Sequence, residues 1–219
     1  YKNIQIIKAP LSAEEPITLK DDKLELLKKS LCGYKEYKYH VGYTGYLDDS
    51  DVRGMSTLID IADANNNFFL HVIGGSKKMK SVWQKRAESK GVNNIFFYGY
   101  KSPITIPYYL NIFDVVLAPL KYRPISRAPT GQNMSPLKLA QYMAYSKAII
   151  ASDIPSHCDF INNKVNALLV PYDNIGEWGT AINLVLTNPD IKSNLENNAF
   201  NSYVADYTPK TRIDTILKN

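Results

Sequence analysis

From Tyr37 onward the chain alternates short apolar runs with amphipathic ones, and this rhythm constrains the fold more than any single motif. The runs "YHVGYTGYL", "FFLHVIGG", "NIFFYGY", "FDVVLAPL", Lys147 to Ser152 and "ALLVPYD" are short and rich in Val, Ile, Leu and Phe. That composition predicts buried strands. Between them, "DVRGMSTLIDIADAN", "MKSVWQKRAESKG", "IPYYLNI" and Pro136 to Ala144 carry helical spacing. Three further helical segments, "IGEWGTAINLVLTN", "PDIKSNLENNAFNSYVADY" and "TPKTRIDTILKN", close the chain. Strands that are apolar on both sides need cover on both sides. The expected fold class is therefore α/β: a Rossmann-like open parallel sheet with helices on both faces, joined by right-handed crossovers.

The first 37 residues are less regular. "YKNIQIIKAP" reads as a short strand. "DDKLELLKKSLC" (Asp21 to Cys32) reads as a helix, with Leu24, Leu27 and Leu31 on one side. Its acids come first and its lysines late, which suits the helix dipole. The expected organisation is an N-terminal extension or interdomain segment over 1–37 and the α/β domain over 38–219. The chain opens on Tyr1 rather than Met, so it is expected to be cut from something longer.

Composition narrows the partners. A net charge of +5 at pH 7 favours anions. No basic run or zinc spacing accompanies it, so nucleic acid is not expected. The lysines and tyrosines of "YKEYKYH" (Tyr34 to His40) lead into a strand and read as local. Cys32 and Cys158 lie far apart in sequence and read as free thiols in a reducing compartment. No apolar run approaches the roughly 18 residues of a membrane-crossing helix.

Ligands of open parallel sheets sit beyond the C-terminal strand ends. Gly45, Gly74, Gly99 and Pro119 all fall just past a predicted strand. The stretch "NMSPLKLAQYMAYSKAIIASD" (133–153) carries the strongest helix start, at Ser135 and Pro136. Serine caps free amides, and proline at the first helical position loses no hydrogen bond. The positive end of such a helix receives phosphate. Lys138 in the first turn opposes the dipole, which favours a bound anion nearby. Gln141 shares its exposed face, and Leu139 and Met143 point inward. A solvated surface lysine is the competing reading. Arg53, after the glycines of "GYTGYLDDSD", suits bidentate phosphate contacts, or pairs with Asp49 or Asp51.

Other chemistries lack their residues. "GYTG" is not GxGxxG, and no GxxxxGK[ST] occurs. HExxH, GxSxG and Cys/His metal spacings are absent, so no metal site is expected. His71, inside an apolar strand, reads as a core histidine. His157, after "SDIPS", reads as a surface residue at a helix start, with a cleft position as the alternative.

The order of these pieces resembles the C-terminal, nucleotide-sugar-binding half of a GT-B glycosyltransferase, close to glycosyltransferase family 4. "VGYTGYLDDSDVRGMSTLIDIA", "LHVIGG", "NNIFFYGY", "YYLNIFDVVLAPL", "SPLKLAQYMAYSKAIIASDIP", "NALLVPYDN" and "YTPKTRIDTIL" carry the likeness, from about Tyr39 to the C-terminus. The resemblance implies a donor-binding domain of a retaining, metal-independent glycosyltransferase with no cofactor beyond a UDP- or GDP-sugar substrate. It implies that Arg53 holds the donor diphosphate with the backbone of Ser135, Pro136 and Leu137, and with Lys138 beside it. Gln141 matches the second Glu of the family's E-x7-E pattern, at the ribose hydroxyls. Asn133 matches the first, near the donor sugar. Gly99, Tyr100 and Lys101 match the loop that borders the base, and Gly45 with Tyr46 matches the glycine turn. Two departures stand out. Tyr46 replaces a usual arginine, and both E-x7-E positions are neutral amides, which lack charge-assisted strength.

The resemblance further implies an acceptor-binding N-terminal domain or subunit beyond this chain. It also implies a polysaccharide or glycoconjugate acceptor, and a cytoplasmic location that is peripheral at the membrane face. Alone, the domain is expected to bind nucleotide sugar and turn over poorly. A catalytically degenerate binding module is the alternative. A GT-B-fold epimerase would need more carboxylates and histidines in the cleft.

Overall fold

The structure is a computed structural model that describes residues 11–122 and 136–218. Among the described residues, six strands form one all-parallel sheet: β1 (Tyr39–Thr44), β2 (Phe68–Ile73), β3 (Ile95–Gly99), β4 (Val115–Ala118), β5 (Ala148–Ser152) and β6 (Leu168–Val170). Their spatial order is β3-β2-β1-β4-β5-β6. The Rossmann-like α/β arrangement expected from the strand–helix rhythm is thus what forms. The strand expected at "YKNIQIIKAP" lies outside the described residues.

Alternation along each strand explains the two-sided cover. Val41 and Tyr43 of β1, Val115 and Leu117 of β4 and Ile150 of β5 point to one face. There they pack with Leu58, Trp83, Trp178 and Ile182 from α2 (Met55–Ala64), α3 (Lys77–Ser89) and α7 (Ile175–Thr187). Val116, Ala118, Ile149 and Ala151 point to the other face. They pack with Leu110, Leu139, Met143 and Ala199 from α4 (Ile106–Ile112), α5 (Leu137–Ala144) and α8 (Pro189–Ser202). A short α6 (Pro155–Cys158) follows β5, and α9 (Pro209–Leu217) follows a π-helical turn over Tyr203–Tyr207. That turn interrupts what the sequence suggests is a single helix to Tyr207.

The N-terminal helix α1 spans Asp21–Ser30, two residues short of the expected end. Its Leu24 and Leu27 pack on the second core. Residues 11–20 run along the same side, with the Ala13 N–H donating to Tyr207 O and the Tyr203 hydroxyl to Glu14 O.

The sheet sets the ligand position through its connections. β1, β2 and β3 step outward in one direction, and the chain then returns past β1 to lay β4 on its other side. The two directions diverge between β1 and β4, which share only the pairs Val41–Val115 and Gly42–Val116. Beyond their C-terminal ends the connecting segments separate and leave a crevice.

Candidate functional site

The crevice is floored by backbone. The Gly45 N–H donates to Ile73 O and the Gly74 N–H to Gly99 O, which ties the exits of β1, β2 and β3 together. A Cβ on Gly74 would lie 1.8 Å from Gly45 O, so only glycine lets these exits meet. Above them lies a cavity of about 430 Å³ bordered by Gly45, Tyr46, Tyr100, Lys101, Leu137, Lys138 and Gln141. Tyr46 and Tyr100 are 63% and 72% exposed, so both rings are open to a ligand in this cavity. Gly99 lies one residue outside this lining, where its carbonyl holds Gly74. Asn133 and Ser135 lie outside the described residues.

A second, smaller cavity adjoins the first at Lys138. Arg53, Pro119, Leu120, Pro136 and His157 complete its walls. Arg53 arrives there through a left-handed turn. Asp51 and Gly54 have φ of 57° and 70°, and a Cβ on Gly54 would lie 2.7 Å from Pro119. The sequence pattern places the helix start near Asp51, but this turn delays α2 to Met55. Asp51 instead accepts the Ser56 N–H at 2.8 Å and ion-pairs with Lys121, which fixes the turn against the segment leaving β4. Arg53 does not pair with Asp49 or Asp51. Its Nε lies 3.8 Å from Asp48 Oδ2, and its guanidinium lies 5.5 Å from the Tyr46 ring centre.

Lys138 departs from the exposed position that helical spacing suggests. The side chain folds inward: Nζ donates to Tyr43 Oη at 3.0 Å and lies 4.1 Å from the Tyr43 ring centre. Burial, and then the Arg53 charge, push its pKa down to about 7. No carboxylate pairs with it among the described residues. Gln141 shares the lining of the larger cavity with Lys138, as their three-residue spacing suggests. The helix itself starts at Leu137. Pro136 occupies the cap position instead of the first turn, and its carbonyl accepts the Leu139 N–H at 2.8 Å. The positive end of α5 still borders both cavities. Leu139 and Met143 are fully buried, as expected.

Two anchors hold this geometry. Tyr142, fully buried on α5, accepts the Thr44 N–H at 2.8 Å and donates to Thr44 O at 3.2 Å, which locks the helix to the exit of β1. Burial pushes its hydroxyl up to about 12, so it remains a donor at physiological pH. Ser152 at the end of β5 accepts the Leu120 N–H at 2.9 Å on its hydroxyl, and His157 Nδ1 donates to its carbonyl at 2.9 Å.

His157 is therefore not the surface residue that the sequence suggests. It is 3% exposed and faces the cationic cavity. Burial is the main cause that drives its pKa down to about 4, the Ser152 carbonyl offsets part of that, and Lys138 lowers it further. The ring is neutral at pH 7. With Nδ1 protonated toward Ser152, Nε2 is the acceptor nitrogen. His71 is the core histidine expected: Nε2 lies 3.0 Å from His40 Nδ1, and Nδ1 lies 3.0 Å from Tyr98 Oη.

The arrangement can attract and orient an anion. Arg53 and Lys138 supply two cations and α5 a positive helix end, within a wall otherwise made of two prolines, a leucine, an alanine and a neutral histidine. The adjoining cavity offers two exposed tyrosines, Lys101 and the Gln141 amide. Among the described residues, no group of three or more His, Cys, Asp or Glu could hold a metal ion. Nor is any of their helices long and apolar enough to cross a membrane.

A parallel doubly wound sheet with a cationic crevice at its switch point defines an α/β domain whose ligand position lies beyond the C-terminal strand ends. Residues 48–202 match the family of glycosyl transferases group 1, and the chain belongs to that family. The search of curated proteins found no match. Among solved structures, it is similar to a glycosyltransferase from Rickettsia africae (15% identity, 97% of this chain and 55% of that one, TM-score 0.74). It is also similar to HepE of Anabaena in complex with UDP-glucose (16%, 98% and 56%, TM-score 0.75). The C-terminal domain of a group 1 family glycosyl transferase, LpcC from Francisella tularensis, matches at 16% identity and TM-score 0.66, over 89% of this chain and 96% of that one. The chain thus spans about half the length of the first two and takes the fold of the C-terminal half of a GT-B glycosyltransferase.

Proposed function

We propose that residues 38–219 bind the donor of a retaining, metal-independent glycosyltransferase of family 4, a UDP- or GDP-sugar, with 1–37 as an interdomain segment. One observation carries this reading: the two cavities meet at Lys138, one cationic and narrow, the other wider and bordered by tyrosines, a lysine and an amide. A diphosphate suits the first, between Arg53, Lys138 and the N-terminal end of α5. A nucleoside suits the second, with its base beside Tyr100 and Lys101 and its ribose hydroxyls toward Gln141. Gly45 and Tyr46 border the path between them, and Asn133, Ser135, Pro136 and Leu137 complete the donor site. His157, neutral and in the wall of the cationic cavity, would offer Nε2 as a hydrogen-bond acceptor there.

In this reading the chain binds and orients, and does so without a cofactor. Two fixed cations offset the charge of the leaving diphosphate, in the role a divalent ion plays elsewhere. The acceptor, a polysaccharide or glycoconjugate, would be held by an N-terminal domain or partner subunit beyond this chain. The fragment alone would therefore bind without efficient turnover. A cytoplasmic location, peripheral at the membrane face, belongs to the same reading and rests on the family and the net charge of +5. The complex of HepE with UDP-glucose, in a protein of the same fold, supports the donor class.

A degenerate binding module is the second reading, favoured by the neutral Gln141 and by the Asp48 carboxylate beside Arg53. Arg53→Ala tests the first. It should weaken UDP binding at least tenfold by titration calorimetry while the unfolding midpoint stays within a few degrees. Parent-like binding would remove Arg53 from the site. Transfer activity in the full-length gene product separates enzyme from module.

A further inference from the structure

A cavity of about 550 Å³ lies between the N-terminal segment and α4, on the far side of the 101–106 turn from the crevice. Its inner wall is apolar: Leu27 of α1 and Tyr109 of α4 belong to, or pack on, the second core. Its rim carries Ile17 and Ile104, 42% and 70% exposed. Hydrogen bonds tie the N-terminal segment to α4 and to the end of α5. The Ile17 N–H donates to Tyr145 Oη at 3.2 Å, and the Lys20 N–H donates to Tyr108 Oη at 3.3 Å.

Three lysines, Lys20, Lys23 and Lys101, line this space, and no carboxylate does among the described residues. None of the three forms an ion pair among those residues. Three lysines around an apolar hollow concentrate positive charge there, which favours an anion. A volume within the roughly 300–1,000 Å³ range of small-molecule sites, with an apolar wall and a few polar groups, suits a discrete ligand.

We infer that this cavity binds one amphipathic anion: a single hydrocarbon chain or aromatic body against Leu27 and Tyr109, with its phosphate or carboxylate among Lys20, Lys23 and Lys101. Apart from Lys101 the site shares no lining residue with the crevice, and the inference does not depend on nucleotide binding. Lys101 borders both cavities, so an anion in this one draws Lys101 away from the other.

Decyl phosphate is a suitable probe, titrated calorimetrically into the 219-residue chain. One site per chain is expected, with at least tenfold weaker binding to the Lys20→Glu/Lys23→Glu variant and to Ile104→Asp. These side chains lie at the rim, so the variants should keep the parent unfolding midpoint and the parent affinity for UDP. Neutral decyl maltoside and inorganic phosphate alone should each bind far more weakly. Three results would each overturn the inference: no binding of decyl phosphate, equal binding of the neutral detergent, or parent-like affinity in the charge-reversed variant. Association with phosphatidylglycerol vesicles without binding of monomeric decyl phosphate would also overturn it, and would assign the lysines to a bilayer surface.

Discussion

Lys138 Nζ lies 3.0 Å from Tyr43 Oη and 4.1 Å from the centre of the same ring, on a residue three positions before Tyr46. The ammonium is thus held by a hydroxyl and an aromatic face, with Arg53 as the nearby charge. An ion held this way costs folding energy and is ready for an anion.

That cost predicts the effect of Lys138→Met. Methionine keeps length and apolar contact and removes the half-buried charge. At pH 6, where the lysine is charged, the variant should unfold at a higher temperature than the parent. A gain of about 1 kcal/mol corresponds to roughly 2–4 °C for a chain of this size. It should also lose UDP affinity. Scanning fluorimetry with and without UDP reads both, and a lowered midpoint would show that the lysine stabilises the free protein.

The depressed pKa predicts two opposite pH dependences. The Lys138 pKa is about 7 in the folded protein and 10.5 for an ordinary lysine. Between these values the unfolded chain binds more protons, so this group's contribution to stability rises with pH. A bound diphosphate raises the lysine pKa toward its ordinary value, so binding takes up a proton above pH 7. Affinity for UDP should be full below about 7 and fall by up to tenfold per pH unit above it. Calorimetry in buffers of different ionisation enthalpy measures the uptake, and a flat profile up to pH 9 would exclude the coupling.

Tyr142→Phe should loosen the frame without touching a ligand. The change leaves the Thr44 N–H without its acceptor in the core, at a cost of about 1–3 kcal/mol. Urea unfolding should show a lower midpoint with an unchanged slope. UDP affinity should fall less than in Arg53→Ala, because the exit of β1 shifts without losing a cation.

The strand–helix rhythm made the sheet legible because parallel strands, buried on both faces, have few sequence alternatives. The inward course of Leu139 and Met143 followed from the same periodicity. Lys138 and His157 were harder to place. Helical spacing puts Lys138 on the open face of α5, but the hydroxyl and ring that draw it inward come from Tyr43, 95 residues earlier. His157 looks like a surface residue after "SDIPS", and the cavity it faces exists only once the Arg53 turn and the end of β4 meet. The partner of Arg53 also escaped the local pattern. Asp51 is taken by Ser56 and Lys121, the second of which lies 70 residues away. The glycine exits, Gly45 and Gly74, were visible as positions past strands, but their backbone-to-backbone approach was not.

The most direct test of the donor-binding account is the thermal shift of the chain with UDP, GDP, ADP and their sugars. A ligand at about 100 times its dissociation constant adds about 2.7 kcal/mol. For a domain of this size that is roughly 5–10 °C. The account predicts such a shift for UDP or GDP and their sugars, and its loss in Arg53→Ala. No shift with any nucleotide, or an equal shift in that variant, would contradict it.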